Sequence, residues 1–347
     1  MKSAQAAADK VFMKHALALA RQAWGRTAPN PMVGAVVVKN GVIVGEGYHH
    51  KAGLPHAEVN ALAAAGKNAD GATIYVTLEP CSTYGRTPPC TEAIKRANIK
   101  RVVCASEDFN PKHAGNGFGI LRQANIEVKN GVCSKEALEL NKAFFSHITR
   151  QRPYVLLKMA MTLDGKIATA SGDSKWITSP AARNRVQKLR QWCDAIMVGG
   201  ETVRLDRPGL VVRTPENWEN QPQKLIYTRM SNEILQQKYF PDDAAVRAVS
   251  PQNRAEWLEL LTELGKNNIT ALLLEGGGEL AGKALQAKIV DEVEFHIAPK
   301  LLCGRASRSV VGGENPQKLA EAMDLDDLQV KRVGCDLIIS GKVKFED

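Results

Sequence analysis

Four side chains in one stretch carry the chemistry this chain is best equipped to do: His56, Glu58, Cys81 and Cys90. They stand in His56-Ala57-Glu58 and in Glu79-Pro80-Cys81-Ser82-Thr83-Tyr84-Gly85-Arg86-Thr87-Pro88-Pro89-Cys90. One imidazole and two thiolates hold a zinc ion through three ligands and leave the fourth tetrahedral position to water. Zinc acidifies that water towards neutral pH, and a carboxylate beside it shuttles the proton. H-x-E followed by P-C-x-x-C is the signature of zinc deaminases that act on nucleobases. Here the second thiol comes later, with Ser82 to Pro89 in between, so the match is to the chemistry with a variant of the spacing. The competing readings are a structural zinc site or two unrelated buried thiols. A structural site takes four protein ligands, and no fourth Cys or His stands at a suitable spacing nearby.

The surrounding elements are of the kind such a site needs. Residues 58–65 are rich in helix formers and Gly66 is a stop signal, which puts His56 and Glu58 in the first turn of a helix after Pro55. Residues 90–97 read as another helix start. Helix N-termini carry partial positive charge and favour thiolate ligands. Residues 72–78 read as a strand that delivers Glu79-Pro80-Cys81 at its C-terminal end.

Upstream, residues 11–24 have apolar positions at helical spacing, and strands 34–38 and 42–47 flank Asn40-Gly41, a type I′ hairpin signal. Downstream come a strand at 101–105, a helix near 120–124, a short strand near 126–129 and one helix over 134–148. Strands alternating with helices after a hairpin predict a layered α/β domain with a mixed sheet.

Thr149-Arg150-Gln151-Arg152-Pro153 is the best boundary, dividing the chain into domains at 1–150 and 151–347. The second half has strand candidates at 154–160, 195–198, 224–228, 270–274, 292–297 and 336–340, and helices at 180–191, 254–265 and 279–288. It too reads as α/β. Its most telling signal is Leu272-Leu273-Leu274-Glu275-Gly276-Gly277-Gly278-Glu279-Leu280-Ala281-Gly282-Lys283, an apolar strand running through three glycines into a helix. Such a turn brings backbone N–H groups to phosphate oxygens, or is simply a tight structural turn. It is neither the dinucleotide fingerprint nor a Walker loop.

At 347 residues the chain is long enough for two domains, and 44% hydrophobic with 24% charged residues is ordinary for a soluble protein. Asp9, Lys10 and Lys14 interrupt the N-terminal region, so no signal peptide is evident, and no run approaches the ~20 apolar residues of a membrane span. A cytoplasmic protein without membrane contact is expected. Seven cysteines form no disulfide framework; Cys104, Cys133, Cys193, Cys303 and Cys335 read as reduced thiols.

The net charge of +9 is uneven: 19 Lys and Arg face 11 Asp and Glu in residues 1–150, against 27 and 26 in the remainder. A basic first half suits nucleic acid, a small phosphorylated substrate, or only a solvated face. No dense basic stripe and no aromatic cluster for stacking bases accompanies it. A nucleic-acid-binding protein with a structural zinc is the reading from a different class, and Glu58 beside a three-ligand site argues against it. A tRNA or nucleotide deaminase with an unrelated C-terminal module is the enzymatic alternative.

Longer motifs add a resemblance. Thr27-Ala28-Pro29-Asn30-Pro31-Met32-Val33-Gly34, His56-Ala57-Glu58-Val59, Thr77-Leu78-Glu79-Pro80-Cys81-Ser82 and Gly85-Arg86-Thr87-Pro88-Pro89-Cys90 resemble the RibD family of bifunctional riboflavin-biosynthesis deaminase–reductases. So do Lys158 through Gly165, Ser174-Lys175-Trp176-Ile177-Thr178-Ser179, Gly199 to Pro208, Glu275 to Gly282 and Ala298-Pro299-Lys300-Leu301-Leu302. These stretches keep the family's order and span nearly the whole chain.

The resemblance implies a cytidine-deaminase-like α/β/α domain followed by a dihydrofolate-reductase-like α/β domain. It implies one zinc ion in the first and NADPH in the second. The implied substrate is a small phosphorylated pyrimidine, the diaminopyrimidinone ribosylamine 5-phosphate, with no nucleic acid or membrane partner and a homo-oligomeric assembly. The first domain would exchange a ring amine for a carbonyl; the second would reduce the ribosyl unit to a ribityl chain.

Carried over residue by residue, zinc falls to His56, Cys81 and Cys90, with Glu58 as proton shuttle. Asn30, His49 and Arg86 match positions that hold pyrimidine and phosphate; as plain structure they would be a loop cap, a surface histidine and a turn residue. NADPH contacts are implied at Ala160, Trp176, Thr202, Asp206 and along Gly277, Gly278, Glu279, Leu280, Ala281, Gly282 and Lys283. Substrate contacts are implied at Ser174, Arg190, Leu210, Arg213 and Glu275. Lys158 is the residue to position or protonate the opened sugar, since a buried strand lysine without a purpose is costly. Trp176 read plainly is a core aromatic, and Arg190 and Arg213 solvated side chains. Two departures stand out: Thr83 where relatives often carry His, and Cys303-Gly304 where Gly-Gly is common.

Overall fold

The computed structural model describes residues 2–84, 88–110, 114–241, 243, 245–314 and 316–345. The chain divides into two compact units, Met1–Gln151 and Arg152–Asp347.

In chain order the first unit contains α1 (Lys2–Ala20), β1 (Gly34–Lys39), β2 (Val42–Tyr48), α2 (Ala57–Ala65), β3 (Thr73–Val76), α3 (Cys90–Arg96), β4 (Arg101–Cys104), α4 (Asn116–Gln123), β5 (Glu127–Lys129), α5 (Ser134–Leu140) and α6 (Lys142–Arg150). Its described residues form a sheet of order β2-β1-β3-β4-β5. The hairpin pairs and β1–β3 are antiparallel, while β3–β4 and β4–β5 are parallel. Asn40 and Gly41 both have positive φ, as a type I′ turn requires.

Alternation along the strands explains the three layers. Ala35, Val37, Ile74, Val76 and Val102 face a core shared with α2, α3 and α4. Val36, Val38, Tyr75 and Val103 face the opposite core, under α1 and α5. The site-bearing helix α2 lies on backbone: a Cβ at Gly47 would come within 2.5 Å of the Ala61 amide nitrogen, and one at Gly45 within 2.3 Å of the Ala61 carbonyl oxygen. The two glycines set how close α2 comes to β2.

The single helix expected over 134–148 is two helices. Asn141 breaks it because its side chain brackets the Met32 backbone, accepting from the amide at 2.8 Å and donating to the carbonyl at 2.9 Å. Those bonds fasten the loop that carries Asn30.

A buried ionic cluster ties α1 to β4 and β5. Asp9 accepts two bonds from Arg101 at 2.9 and 3.0 Å, one from Lys129 at 2.8 Å and one from the Tyr75 hydroxyl at 3.0 Å. Burial alone would raise its pKa, but these donors outweigh burial and hold it well below the usual carboxylate range. The stability this confers is therefore complete above the unfolded carboxylate value and is lost as pH falls through the lower folded one. Asp9→Asn should cost at most about 3 kcal/mol, since Arg101 and Lys129 lose their buried counter-charge while Arg101 keeps Glu127 and Lys129 keeps solvent. Urea unfolding at neutral pH and near pH 3 checks both points: the mutant should be the weaker at neutral pH, and the gap should narrow in acid.

The second unit contains β6 (Tyr154–Thr162), β7 (Lys166–Ala168), α7 (Pro180–Trp192), β8 (Ala195–Gly199), α8 (Gly200–Asp206), β9 (Gln223–Tyr227), α9 (Asn232–Tyr239), β10 (Arg247–Val249), α10 (Arg254–Lys266), β11 (Ala271–Glu275), α11 (Gly278–Gln286), β12 (Glu292–Ala298), β13 (Arg308–Ser309), β14 (Leu325–Val333) and β15 (Asp336–Val343). The main sheet has the order β10-β9-β8-β11-β6-β12-β15-β14. It is parallel from β10 to β12, and β15 and β14 continue it antiparallel. Apolar runs in β6, β8 and β11 are buried, as central parallel strands require. Ser179 caps α7 and accepts from the Ala182 amide, with Pro180 as the first helical residue.

Candidate active sites

In the first unit the structure brings the zinc-type ligands together. His56 is the extended residue that caps α2, Cys90 opens α3, and Cys81 follows β3. His56 Nδ1 lies 3.2 Å from Cys90 Sγ and 3.6 Å from Cys81 Sγ. Tetrahedral zinc with ordinary bond lengths sets N and S ligands roughly 3.5 Å apart. Among the described residues one group of His, Cys, Asp or Glu is close enough to share a metal, and it is this one, with donor atoms all within 4.8 Å. The donor set, one imidazole with two sulfurs, fits zinc.

Electrostatics agree with that use. The Cys90 thiol and backbone N–H both bond to Cys81, lowering its pKa to about 4, while Cys90 retains its proton and is pushed up. A divalent cation held by the same two sulfurs would take the place of that shared proton. The Cys81 bond raises His56. Glu58, 3% exposed in the first turn of α2, is raised to about 7 by burial and by the charge of Cys81. A carboxyl poised there gives and takes a proton readily at neutral pH.

Asn30 and His49 join the same site. Asn30 Nδ2 is 3.1 Å from His49 Nε2, and the His49 ring stands edge-on to His56 with centroids 5.4 Å apart. His49 is 2% exposed, so it is not a surface histidine, and burial lowers its pKa. Arg86 lies outside the described residues. Thr83 is exposed beside Cys81 in sequence.

Sequence reasoning assigns Glu79 no role beyond its place in the Glu-Pro-Cys motif, yet the structure gives it one. Glu79 is buried, and its carboxylate accepts from the amides of Asp108, Gly115, Gly117 and Phe118 at 2.9–3.3 Å. It anchors the backbone two residues before Cys81. A Cβ at Gly117 would meet the Pro80 carbonyl at 2.3 Å, which explains the glycine. A carboxylate directly before Pro-Cys was the available signal.

In the second unit a cleft of about 810 Å³ collects most of the residues implied there. Lys158, Ala160, Ser174, Trp176, Arg190, Thr202, Asp206, Leu210, Arg213, Glu275, Gly277, Gly278 and Glu279 all line it. Its volume lies in the range of cofactor sites, beside the C-terminal ends of β8 and β11. Gly276 and Gly277 both have φ near +90°, a conformation glycine adopts at no steric cost. Four implied residues stand elsewhere. Leu280 and Ala281 pack into the core, and Gly282 is pressed against the Gly312 carbonyl. Lys283 lines an adjoining pocket with Arg204, Thr228, Arg229 and Gln252.

Trp176 is 62% exposed and not a core aromatic; the Arg183 guanidinium lies 4.6 Å from its ring centre. Arg190 is buried and pairs with Glu275 through two bonds of 2.9 Å. Asp206 receives the Ser174 hydroxyl at 3.3 Å. The Leu163-Asp164-Gly165 motif meets Leu301-Leu302 because Asp164 accepts from the amides of Leu302 and Cys303 at 3.1 and 2.7 Å. Lys158 is buried in β6, in register with Glu275 on one side and Glu294 on the other.

Fold and sites define a zinc deaminase joined to a nucleotide-dependent reductase. The family model for the cytidine and deoxycytidylate deaminase zinc-binding region matches residues 6–106, and that for the RibD C-terminal domain matches residues 153–339. Riboflavin biosynthesis protein RibD of Aquifex aeolicus is 45% identical, covering 95% of this chain and 97% of that one. The Acinetobacter baumannii RibD structure is 39% identical with a TM-score of 0.88, covering 98% of this chain and all of that one. A Thermotoga maritima diaminohydroxyphosphoribosylaminopyrimidine deaminase/5-amino-6-(5-phosphoribosylamino)uracil reductase is 32% identical with a TM-score of 0.85 over the same shares.

The chain belongs to the RibD family, the bifunctional deaminase–reductases of riboflavin biosynthesis. Zinc serves its deaminase and NADPH its reductase. No described helix is long and apolar enough to cross a membrane.

Proposed function

We propose that residues 1–150 deaminate 2,5-diamino-6-(5-phosphoribosylamino)pyrimidin-4-one and that residues 151–347 reduce the product to 5-amino-6-(5-phosphoribitylamino)uracil. His56, Cys81 and Cys90 hold the zinc, which when bound supplies an acidified water as nucleophile. Glu58 takes one proton from the attacking water and gives it to the ring nitrogen next to the attacked carbon, then takes the second from the hydroxyl formed on that carbon and gives it to the departing amine. Ammonia leaves and a carbonyl remains. Asn30, His49 and Arg86 hold the pyrimidine and its phosphate. The observation that carries this reading is the convergence of one imidazole and two thiols at 3.2 and 3.6 Å, with a buried carboxyl in the same helical turn as the imidazole's cap.

NADPH, when bound in the cleft, supplies hydride to the first carbon of the opened sugar. Trp176, Ala160, Thr202, Asp206 and the turn from Gly277 to Glu279 hold it, the turn through its backbone. Ser174, Arg190, Leu210, Arg213 and Glu275 hold the substrate. Lys158, an ammonium group lining the cleft, supplies the proton that accompanies the hydride.

The substrate is a small phosphorylated pyrimidine and not nucleic acid. The enzyme works in the cytoplasm, where exposed thiols such as Cys303 and Cys335 stay reduced. It assembles with copies of itself through the outer strand β14, which among the described residues is paired on one side only and where Leu328 and Val330 are more than half exposed.

The test is to supply the phosphorylated diaminopyrimidine with and without NADPH. Ammonia should appear in both cases and nicotinamide absorbance should fall only when NADPH is present. NADPH oxidation that precedes ammonia release would contradict deamination as the first step.

A further inference from the structure

Lys158 sits in the middle of a row of charges across three parallel strands. Glu275 of β11 is its register partner on one side, and Glu294 of β12 on the other. Register partners on adjacent strands share a face, so the three side chains lie on one side of the sheet. Helix α7 covers that face and supplies one arginine to each carboxylate. Arg190 pairs with Glu275 at 2.9 Å, and Arg185 pairs with Glu294 at 2.9 and 3.3 Å. Glu294 also bonds His296, two residues on, whose Nε2 lies 2.8 Å from its Oε1. Glu294 is 4% exposed and His296 fully buried.

The Glu275 side of this row belongs to the cleft, but neither Glu294 nor His296 lines it. Neither has a part in the deamination or reduction steps proposed above. Three cations, Lys158, Arg185 and Arg190, face two carboxylates, with His296 beside them. Burial pushes the Lys158 ammonium towards its neutral form; Glu275 opposes this, Arg190 adds to it, and Glu294 opposes it again. Burial likewise lowers His296, so its imidazole is neutral and serves Glu294 as a hydrogen-bond donor. No described residue hydrogen-bonds Lys158, so its charge state rests on these through-space neighbours.

We propose that Glu294, clamped by His296 and Arg185, is a positioning residue for the reduction: it is the second counter-charge that keeps Lys158 an ammonium ion at the cleft. The inference rests on the assignment of Lys158 as proton donor. Arg190 engages both oxygens of Glu275, as Arg185 does those of Glu294, so each carboxylate is held in place on its own strand beside Lys158. Two carboxylates already face three cations, and loss of the charge on Glu294 would leave one carboxylate for all three. The role belongs to the charge on Glu294, while His296 and Arg185 fix where that charge stands.

The experiment uses the full chain and three variants: Glu294→Gln, Glu294→Asp and Lys158→Ala. The circular dichroism spectrum and thermal unfolding of each preparation report that it is folded. The titration of Lys158 is followed by NMR after reductive ¹³C-methylation, its signal being the one missing from Lys158→Ala. The pH profile of reduction is measured on pre-deaminated substrate. Glu294→Gln should lower the Lys158 midpoint by about one unit or more, and the alkaline limb of the profile should move with it, a tenfold loss for each unit on that limb. Glu294→Asp should stay close to the wild type in both. An unmoved midpoint in Glu294→Gln overturns the inference and leaves the assignment of Lys158 standing. Undiminished reduction by Lys158→Ala removes that assignment and the inference with it.

Discussion

Glu58→Gln should bind zinc as the wild type does and lose ammonia release by at least about 10³-fold, the scale of a positioned acid–base group. The amide has nearly the same shape, so the buried first turn of α2 is kept, and the metal ligands His56, Cys81 and Cys90 are untouched. What is lost is a carboxyl that burial holds near neutral, able to accept a proton and return it within one turnover. Reduction of pre-deaminated substrate by the same variant should proceed at the wild-type rate, because Glu58 lies in the unit Met1–Gln151 and the reductase cleft is lined by residues of the other. Measured as ammonia release against nicotinamide absorbance, loss of both activities together would contradict two separable sites.

Lys158→Ala should do the reverse. Reduction should fall by about 10²- to 10⁴-fold with deamination unchanged. The buried ammonium is the cation placed between Glu275 and Glu294, so its removal takes away the proton source and leaves two carboxylates facing Arg190 and Arg185 alone. A fall in kcat at unchanged KM is expected for an interaction made only as hydride arrives. An unchanged reductase rate would take Lys158 out of the mechanism.

The first site was legible because its chemistry is written in rare residue types at short range. His56 and Glu58 are two positions apart on one helical turn, and strand β3 hands Cys81 to the same end of the sheet. Asn40-Gly41 announced its own turn, since few other residues accept two successive positive φ values. What could not be read is long-range. The backbone bonds of Glu79 join residues nearly forty positions apart in chain order. The break at Asn141 depends on Met32, which local helix propensity cannot see.

In the second unit, β14 escaped notice because exposure on both faces removes the alternation that marks a strand. Helix α9 was missed for a similar reason: Leu235 is its one buried residue, so it has no apolar stripe. The glycine turn was legible as a candidate phosphate cradle, but not that Leu280 and Ala281 beyond it belong to the core. The Glu294–His296 pair carries no motif and emerges only when β12 is laid in register beside β6.

The central claim is an open three-ligand zinc site, and X-ray absorption at the zinc edge together with metal analysis of the purified enzyme tests it most directly. One zinc per chain should appear with two sulfur ligands, one imidazole and one light-atom ligand that exchanges with solvent. A shell closed by four protein ligands, or full deaminase activity in protein free of metal, would contradict it.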